Sequence, residues 1–191
     1  FYDDALLLDA QNHAALIFAA LGDERAPARL HTPNGLHVRE ITPDLAALMR
    51  RAGMTTIRLS LETASDEDAR ARFSGKVSRD CFRRAVSALL GAGYNNSDIG
   101  AYVLAGLPGQ RPGDVYETVA FSHSCGVKVR PALFSPVPGS VEFERAVESG
   151  MLPPGGDPLL QNNTLRTLDL WGGGDGYERF KRIVTDGNAL L

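Results

Sequence analysis

Two hydrophobic periods take turns along this chain, one helical and one of strand type. After Asp4, Leu6, Ala10, Ala14, Ile17 and Leu21 keep helical spacing as far as Gly22. A short strand is predicted at Arg29–Thr32, followed by the turn Pro33-Asn34-Gly35. Thr42-Pro43-Asp44 has the capping hydroxyl and first-turn proline of a helix start. That helix carries Leu45, Leu48, Met49 and Ala52 on one face and stops at Gly53. Thr55–Leu61 is the clearest strand, with Ile57, Leu59 and Leu61 pointing one way. Arg58 and Ser60 point the other way, and Glu62 continues their parity. Ser78 opens a helix bearing Phe82, Ala85, Val86 and Leu89, closed by Gly93. Ile99–Leu104 is almost continuously apolar, as a strand covered on both faces should be. A helix from about Pro112 to Cys125, a strand at Val127–Phe134 and a short helix capped by Ser140 complete the alternation.

The tail is less regular. Pro153-Pro154-Gly155-Gly156 reads as a break, and Asp157-Pro158 as the start of a helix towards Leu170. Trp171-Gly172-Gly173-Gly174 reads as a flexible link. Asp175 and Glu178 then suggest a capping box for a last helix bearing Tyr177, Phe180, Ile183 and Val184. At the other end, Phe1-Tyr2 resembles the tail of a strand already under way. With no initiator methionine, the chain reads as a piece of a longer protein.

Strands alternating with helices give βαβ units and a parallel sheet, wound by right-handed crossovers. Three full strands, one short strand and a stub are too few for an eight-stranded barrel, which takes ~250 residues. The expected fold is therefore α/β, a partial, open (β/α) barrel over residues 1–150, with a helical extension over 151–191.

Composition narrows the partners. The 191 residues are 43% hydrophobic and 23% charged, with a net charge of −3. That leaves no general basic field for nucleic acid or anionic lipid. No apolar run reaches the ~20 residues that cross a bilayer, and no signal peptide opens the chain. Cys81 and Cys125 stand far apart and suggest neither a disulfide framework nor a metal knuckle, so a reducing cytoplasm is the expected compartment. His13, His31, His37 and His123 show no zinc-ligand grouping.

Ligands of parallel α/β proteins sit at the carboxyl ends of the strands. That rule selects Asp3-Asp4, Asn34-Gly35, Glu62-Thr63, Gly106-Leu107-Pro108-Gly109 and Ser135-Pro136. Arg58, Ser60 and Glu62 would be costly to bury in a dry core, so they point to a wet lumen. A salt bridge from Arg58 to a nearby acid, or an exposed cap at Glu62, would be the structural alternative. The two aspartates could equally cap a helix. A glycine pair at Gly106 and Gly109 permits close backbone approach to a flat ligand, but is also an ordinary strand-to-helix turn.

Taken in order, several segments resemble the radical S-adenosylmethionine (radical SAM) superfamily, especially members often joined to a cobalamin-binding domain. They are Phe1–Leu6, Pro33–Leu36, Leu48–Gly53, Ile57–Thr63, Gly75-Lys76, Leu104–Gln110 and Ser135–Ser140. The resemblance implies a partial (β/α)6 TIM-like barrel, lacking its first strand, that binds S-adenosylmethionine across its top. By this likeness Asp3 and Asp4 contact the methionine amino group, and Glu62 with Ser60 the methionine or ribose part. Gly106, Pro108 and Gly109 lie beside the adenine, and Pro136 to Gly139 close the last strand. The superfamily's CxxxCxxC motif, which holds a 4Fe-4S cluster, is absent from these residues. The resemblance therefore implies that the intact parent is the enzyme, with cobalamin a candidate second cofactor. It would use a reductant protein and a further substrate, and this piece alone would be inactive. It also leads us to expect self-association through the edge nearest Phe1 and Arg29–Thr32. A degenerate nucleotide-binding barrel and an unrelated TIM-barrel lyase are the competing readings.

Overall fold

Local signals set most element boundaries in the computed structural model, which describes residues 1–3, 5–24, 28–65, 77–155 and 168–191. Among the described residues there are five strands, β1 (Leu30–His31), β2 (Leu36–His37), β3 (Met54–Glu62), β4 (Ile99–Ala105) and β5 (Lys128–Leu133), and helices follow each of them except β1. The α-helices are α1 (Ala14–Asp23), α2 (Pro43–Arg51), α3 (Arg79–Gly91), α4 (Pro112–Ser124), α5 (Val141–Glu148) and α6 (Gly174–Ala189). Three of the helices start on the expected hydroxyls. Thr42, Ser78 and Ser140 each accept a hydrogen bond from the amide three residues on, at 3.2 Å. Gly53 comes after α2 at φ +89°, and a Cβ there would meet the Ala28 carbonyl oxygen at 2.7 Å, so only glycine fits.

All strand pairs are parallel, in the spatial order β1, β3, β4, β5. This is the order expected for the strands ending near Thr32, Leu61, Leu104 and Phe134. The place beside β3 is filled twice, by β1 opposite Met54 and Thr56 and by β2 opposite Leu59 and Ser60. One broken strand thus lines this side of β3, and its interruption is the Pro33–Gly35 turn. The second piece is not evident in the sequence, because two residues carry no periodicity.

Strand β3 alternates as its pattern requires. Ile57, Leu59 and Leu61 are fully buried, whereas Arg58, Ser60 and Glu62 are half-buried. The apolar side of β3 and β4 packs on the first three helices through Phe18, Met49, Phe82 and Leu89. A second cluster joins Val103, Ala105 and Val129 to Val115 and Val119 of α4, and to Trp171, Phe180 and Val184 near and on α6.

Several local expectations are corrected. The first helix does not run unbroken from Asp4. Asp9 adopts φ 50° and its carboxylate accepts from Asn12 Nδ2, so a short 3-10 turn at Ala10–Asn12 precedes α1. Phe1 and Tyr2 form no strand, although the Phe1 amino group donates to the His31 carbonyl at 2.7 Å. The Trp171–Gly174 link is anchored: Trp171 is buried, stacks on Phe180 at 4.1 Å and meets Tyr116 edge-on. Asp175 makes no capping box, because Gly173 is the N-cap and Asp175 already lies inside the helix; Glu178 pairs instead with Lys181 at 2.6 Å. Cys125 caps the end of α4 rather than lying within it. The expected helix from Asp157 falls largely outside the described residues.

Candidate functional site

The carboxyl ends of β3 and β4 lie side by side, with Glu62 opposite Val103 across an irregular register. Glu62 has φ 63°, a conformation that residues with a Cβ rarely adopt. The Thr63 amide donates to the Leu61 carbonyl at 2.7 Å, so Glu62 is the centre of a tight three-residue turn. The chain just beyond this turn is pinned from α4. The Ala64 amide donates to Thr118 Oγ1 at 3.0 Å, and Thr118 in turn donates to the Asp114 carbonyl. The Arg79 guanidinium donates to the Ala64 carbonyl and pairs with Glu117. Strained backbone persists only where its surroundings over-determine it, and such places cluster at ligand sites.

The turn after β4 is held from within. Gly106 takes φ +94°. The Gln110 amide oxygen accepts from the Gly106 and Leu107 amides at 2.8 and 3.2 Å, and its nitrogen donates to the Leu104 carbonyl. Pro108 is buried, and Gly109 is the exposed tip. Any flat ligand beside this turn therefore meets a rigid surface whose first two amides are already engaged. The sequence places Gln110 at the end of the Leu104–Gln110 segment but gives no sign of this bracing role.

Ser60 faces away from the helices, but the Pro33–Gly35 turn covers it. A Cβ on Gly35 would lie 2.1 Å from Ser60 Oγ. Tyr102, opposite Ser60 on β4, donates to the Pro33 carbonyl at 2.7 Å. This turn therefore rests on the polar side of the sheet, a contact that sequence spacing does not reveal. Asp3 Oδ1 accepts from the Ala5 amide at 2.8 Å, a local capping role. Two residues before Asp3, the Phe1 amino group binds the carbonyl of His31, the last residue of β1. Asp4, Gly75 and Lys76 lie outside the described residues.

Further along the same side, Arg58 of β3 and Arg130 of β5 converge over Gly100, each with a nitrogen 3.4 Å from where a Cβ there would stand. Burial holds the Arg58 guanidinium below its usual pKa, and the charge of Arg130 adds to the effect. A salt bridge from Arg58 to an acid, the structural alternative, is not formed among the described residues; its partner is the Ile57 carbonyl at 2.9 Å. A cavity of about 650 Å³ lies elsewhere, between α2 and α3 on the helical side, and is lined by Arg39, Ile41 and Arg84. A smaller one of about 470 Å³ lies just beyond β5, lined by Phe134, Ser135, Val137, Ser140 and the paired Glu142 and Arg145.

A parallel sheet fed by helical crossovers, with tightly braced turns at the carboxyl ends of β3 and β4, defines an α/β protein, and in such folds ligands bind outside the carboxyl ends of the strands. The family model of the radical SAM superfamily matches residues 5–122, and the chain belongs to that superfamily. No curated protein matches the chain. Members of this superfamily use S-adenosylmethionine and a 4Fe-4S cluster. The residues present do not fit the cluster. Cys81 is buried in the core and Cys125 ends α4, and no group of three metal-ligating side chains occurs among the described residues. No helix among the described residues is long and apolar enough to cross a membrane.

Proposed function

We propose that this chain supplies the S-adenosylmethionine-binding part of a radical SAM enzyme barrel. The intact protein would reductively cleave S-adenosylmethionine to a 5′-deoxyadenosyl radical, with a reductant protein as partner and a cluster held by thiolates other than Cys81 and Cys125. One observation carries the reading: the braced, positive-φ turn at Glu62, at the carboxyl end of a central strand and inside the matched region. Glu62 would meet the methionine or ribose part, Asp3 and Asp4 the amino group, and Gly106, Pro108 and Gly109 the adenine. The Gln110 bracing supports the last role, since a preformed surface loses little entropy on binding. Ser60, lying beneath Gly35, would act by holding the Pro33–Gly35 turn.

Calorimetry with S-adenosylmethionine tests this. Glu62→Ala should weaken binding by roughly 1–3 kcal/mol, the cost of losing a hydrogen-bonding partner in a partly buried site. Equal affinity in the variant would remove Glu62 from the site, and no binding by the parent chain would sink the reading. After anaerobic reconstitution with iron and sulfide, the 191-residue chain should stay colourless and release no 5′-deoxyadenosine under reduction. A brown, active chain would overturn the view that its thiolates cannot hold the cluster.

A further inference from the structure

We propose that Arg58 and Arg130, converging over Gly100 on the polar side of the sheet, form a subsite for a carboxylate or phosphate group of the substrate. The claim of a substrate rests on the enzymatic reading proposed for the chain; the anion site itself does not. Parity and register assemble the cluster. Arg58, Gly100 and Lys128 are Cα partners across β3, β4 and β5, and Arg130 stands two pairs further along, opposite Tyr102. Arg58, Lys128 and Arg130 therefore share the face turned away from the helices. Gly100 is the only strand glycine among the described residues, and its missing side chain leaves the space into which both guanidinium groups reach.

None of the three cations pairs with an acid among the described residues. Arg58 uses one of its five N–H donors, on the Ile57 carbonyl, and no described side chain engages Lys128 or Arg130 in a hydrogen bond or ion pair. Arg58 is half-buried and Arg130 exposed, and their two guanidinium nitrogens lie within about 7 Å of one another, a range at which like charges oppose each other. An anion between them would remove that opposition, and the planar forks suit the two oxygens of a carboxylate or phosphate. The Tyr102 hydroxyl, bound to Pro33, fixes the wall next to them.

Depth separates this subsite from the carboxylate of S-adenosylmethionine itself. Arg58 precedes Glu62 by four residues, which places it about 13 Å below that end of β3 at ~3.3 Å per residue. Gly100 is the second residue of β4 and Lys128 the first of β5, so the cluster lies towards the amino-terminal ends of the strands. The anion is accordingly assigned to a second molecule, and the S-adenosylmethionine affinity of Arg130→Gln tests that assignment.

The test uses the 191-residue chain at constant ionic strength, with sodium chloride as reference. Inorganic phosphate and succinate, at about 20 mM, probe the two anion classes. At least one should raise the Tm by about 3 °C. The rise should vanish in Arg58→Gln and in Arg130→Gln and persist in Arg182→Gln, which alters an exposed arginine of α6. Because Arg58 is half-buried, Arg58→Lys provides a second variant, and side-chain Nε–H NMR signals of Arg58 and Arg130 should move on titration in the parent chain. No shift with either anion, or a shift that survives both glutamine variants, would overturn the subsite. A fall in S-adenosylmethionine affinity in Arg130→Gln would also overturn it, by giving the pair to that ligand's carboxylate. Anion binding without S-adenosylmethionine binding would uphold the subsite and remove only the enzymatic reading.

Discussion

The side-chain amide of Asn188, on α6, makes both hydrogen bonds that a neighbouring strand would make to Val129 of β5. Its oxygen accepts from the Val129 amide at 2.7 Å, and its nitrogen donates to the Val129 carbonyl at 2.9 Å. The outer edge of β5 is thus satisfied by a helix at this point rather than by a sixth strand. His123 of α4 lies against the same oxygen at 3.1 Å. Asn188→Ala would leave Val129 with a partly buried donor and acceptor unmatched. We expect a loss of roughly 1–3 kcal/mol in urea unfolding. A loss below a few tenths would mean that water serves this edge equally well.

Glu62 offers a clean comparison, because two of its replacements differ only in a methyl group. Glu62→Ala and Glu62→Gly both remove the carboxylate, yet only glycine adopts φ 63° at little cost. The glycine variant should be the more stable of the two by about 1 kcal/mol. Equal unfolding midpoints would show that the turn relaxes once the carboxylate is gone.

Gly35 and Ser60 should be coupled. In Gly35→Ala the new methyl would meet Ser60 Oγ at 2.1 Å, so the Pro33–Gly35 turn must shift. Overpacking of this kind costs roughly 1–3 kcal/mol. Ser60→Ala should return part of that loss in the double variant, since the next contact, Ser60 Cβ, stands at 3.2 Å. A double-mutant cycle with no coupling energy would place the strain elsewhere.

Asp114 gives the chain an acid-sensitive contact at the start of α4. Its hydrogen bonds from Arg111, at 2.8 and 2.9 Å, hold its carboxyl below the usual 3.8, against a smaller opposing effect of burial. A pKa lower in the folded than in the unfolded state favours folding fully above the unfolded value. The benefit fades as pH falls through the folded value. Asp114→Asn should therefore destabilise by up to about 1 kcal/mol near neutral pH, and by less near pH 3. A difference that grows on acidification would contradict this.

Much of the framework is legible in the sequence because it rests on local chemistry. The hydroxyls of Thr42, Ser78 and Ser140 cap the helices their positions announce, and the two-residue alternation of Ile57, Leu59 and Leu61 marks the buried side of β3. What escapes is what depends on residues distant in sequence. The second short strand gains meaning only against Leu59 and Ser60, and Trp171 reads as part of a glycine-rich link until Phe180 and Tyr116 are beside it. At the site, the residues themselves mark Glu62 and the Gly106–Gly109 turn. They are silent on the positive φ of Glu62 and on the convergence of Arg58 with Arg130, since parity fixes a face but not a distance.

The second hydrophobic cluster has a bearing on the order in which the protein can be made. Val103, Ala105 and Val129 are covered partly by Val115 and Val119, and their cover is completed only by Trp171, Phe180 and Val184. A ribosome that has released β5 has therefore not yet released the residues that finish shielding it. For the time taken to synthesise roughly fifty further residues, seconds at about 5–20 residues per second, this flank stays tacky. Nascent chains arrested just before Trp171 should recruit a chaperone, and chains released beyond Leu191 should not. The last helix thus acts as a timer, and the sheet becomes self-sufficient only once that helix has emerged.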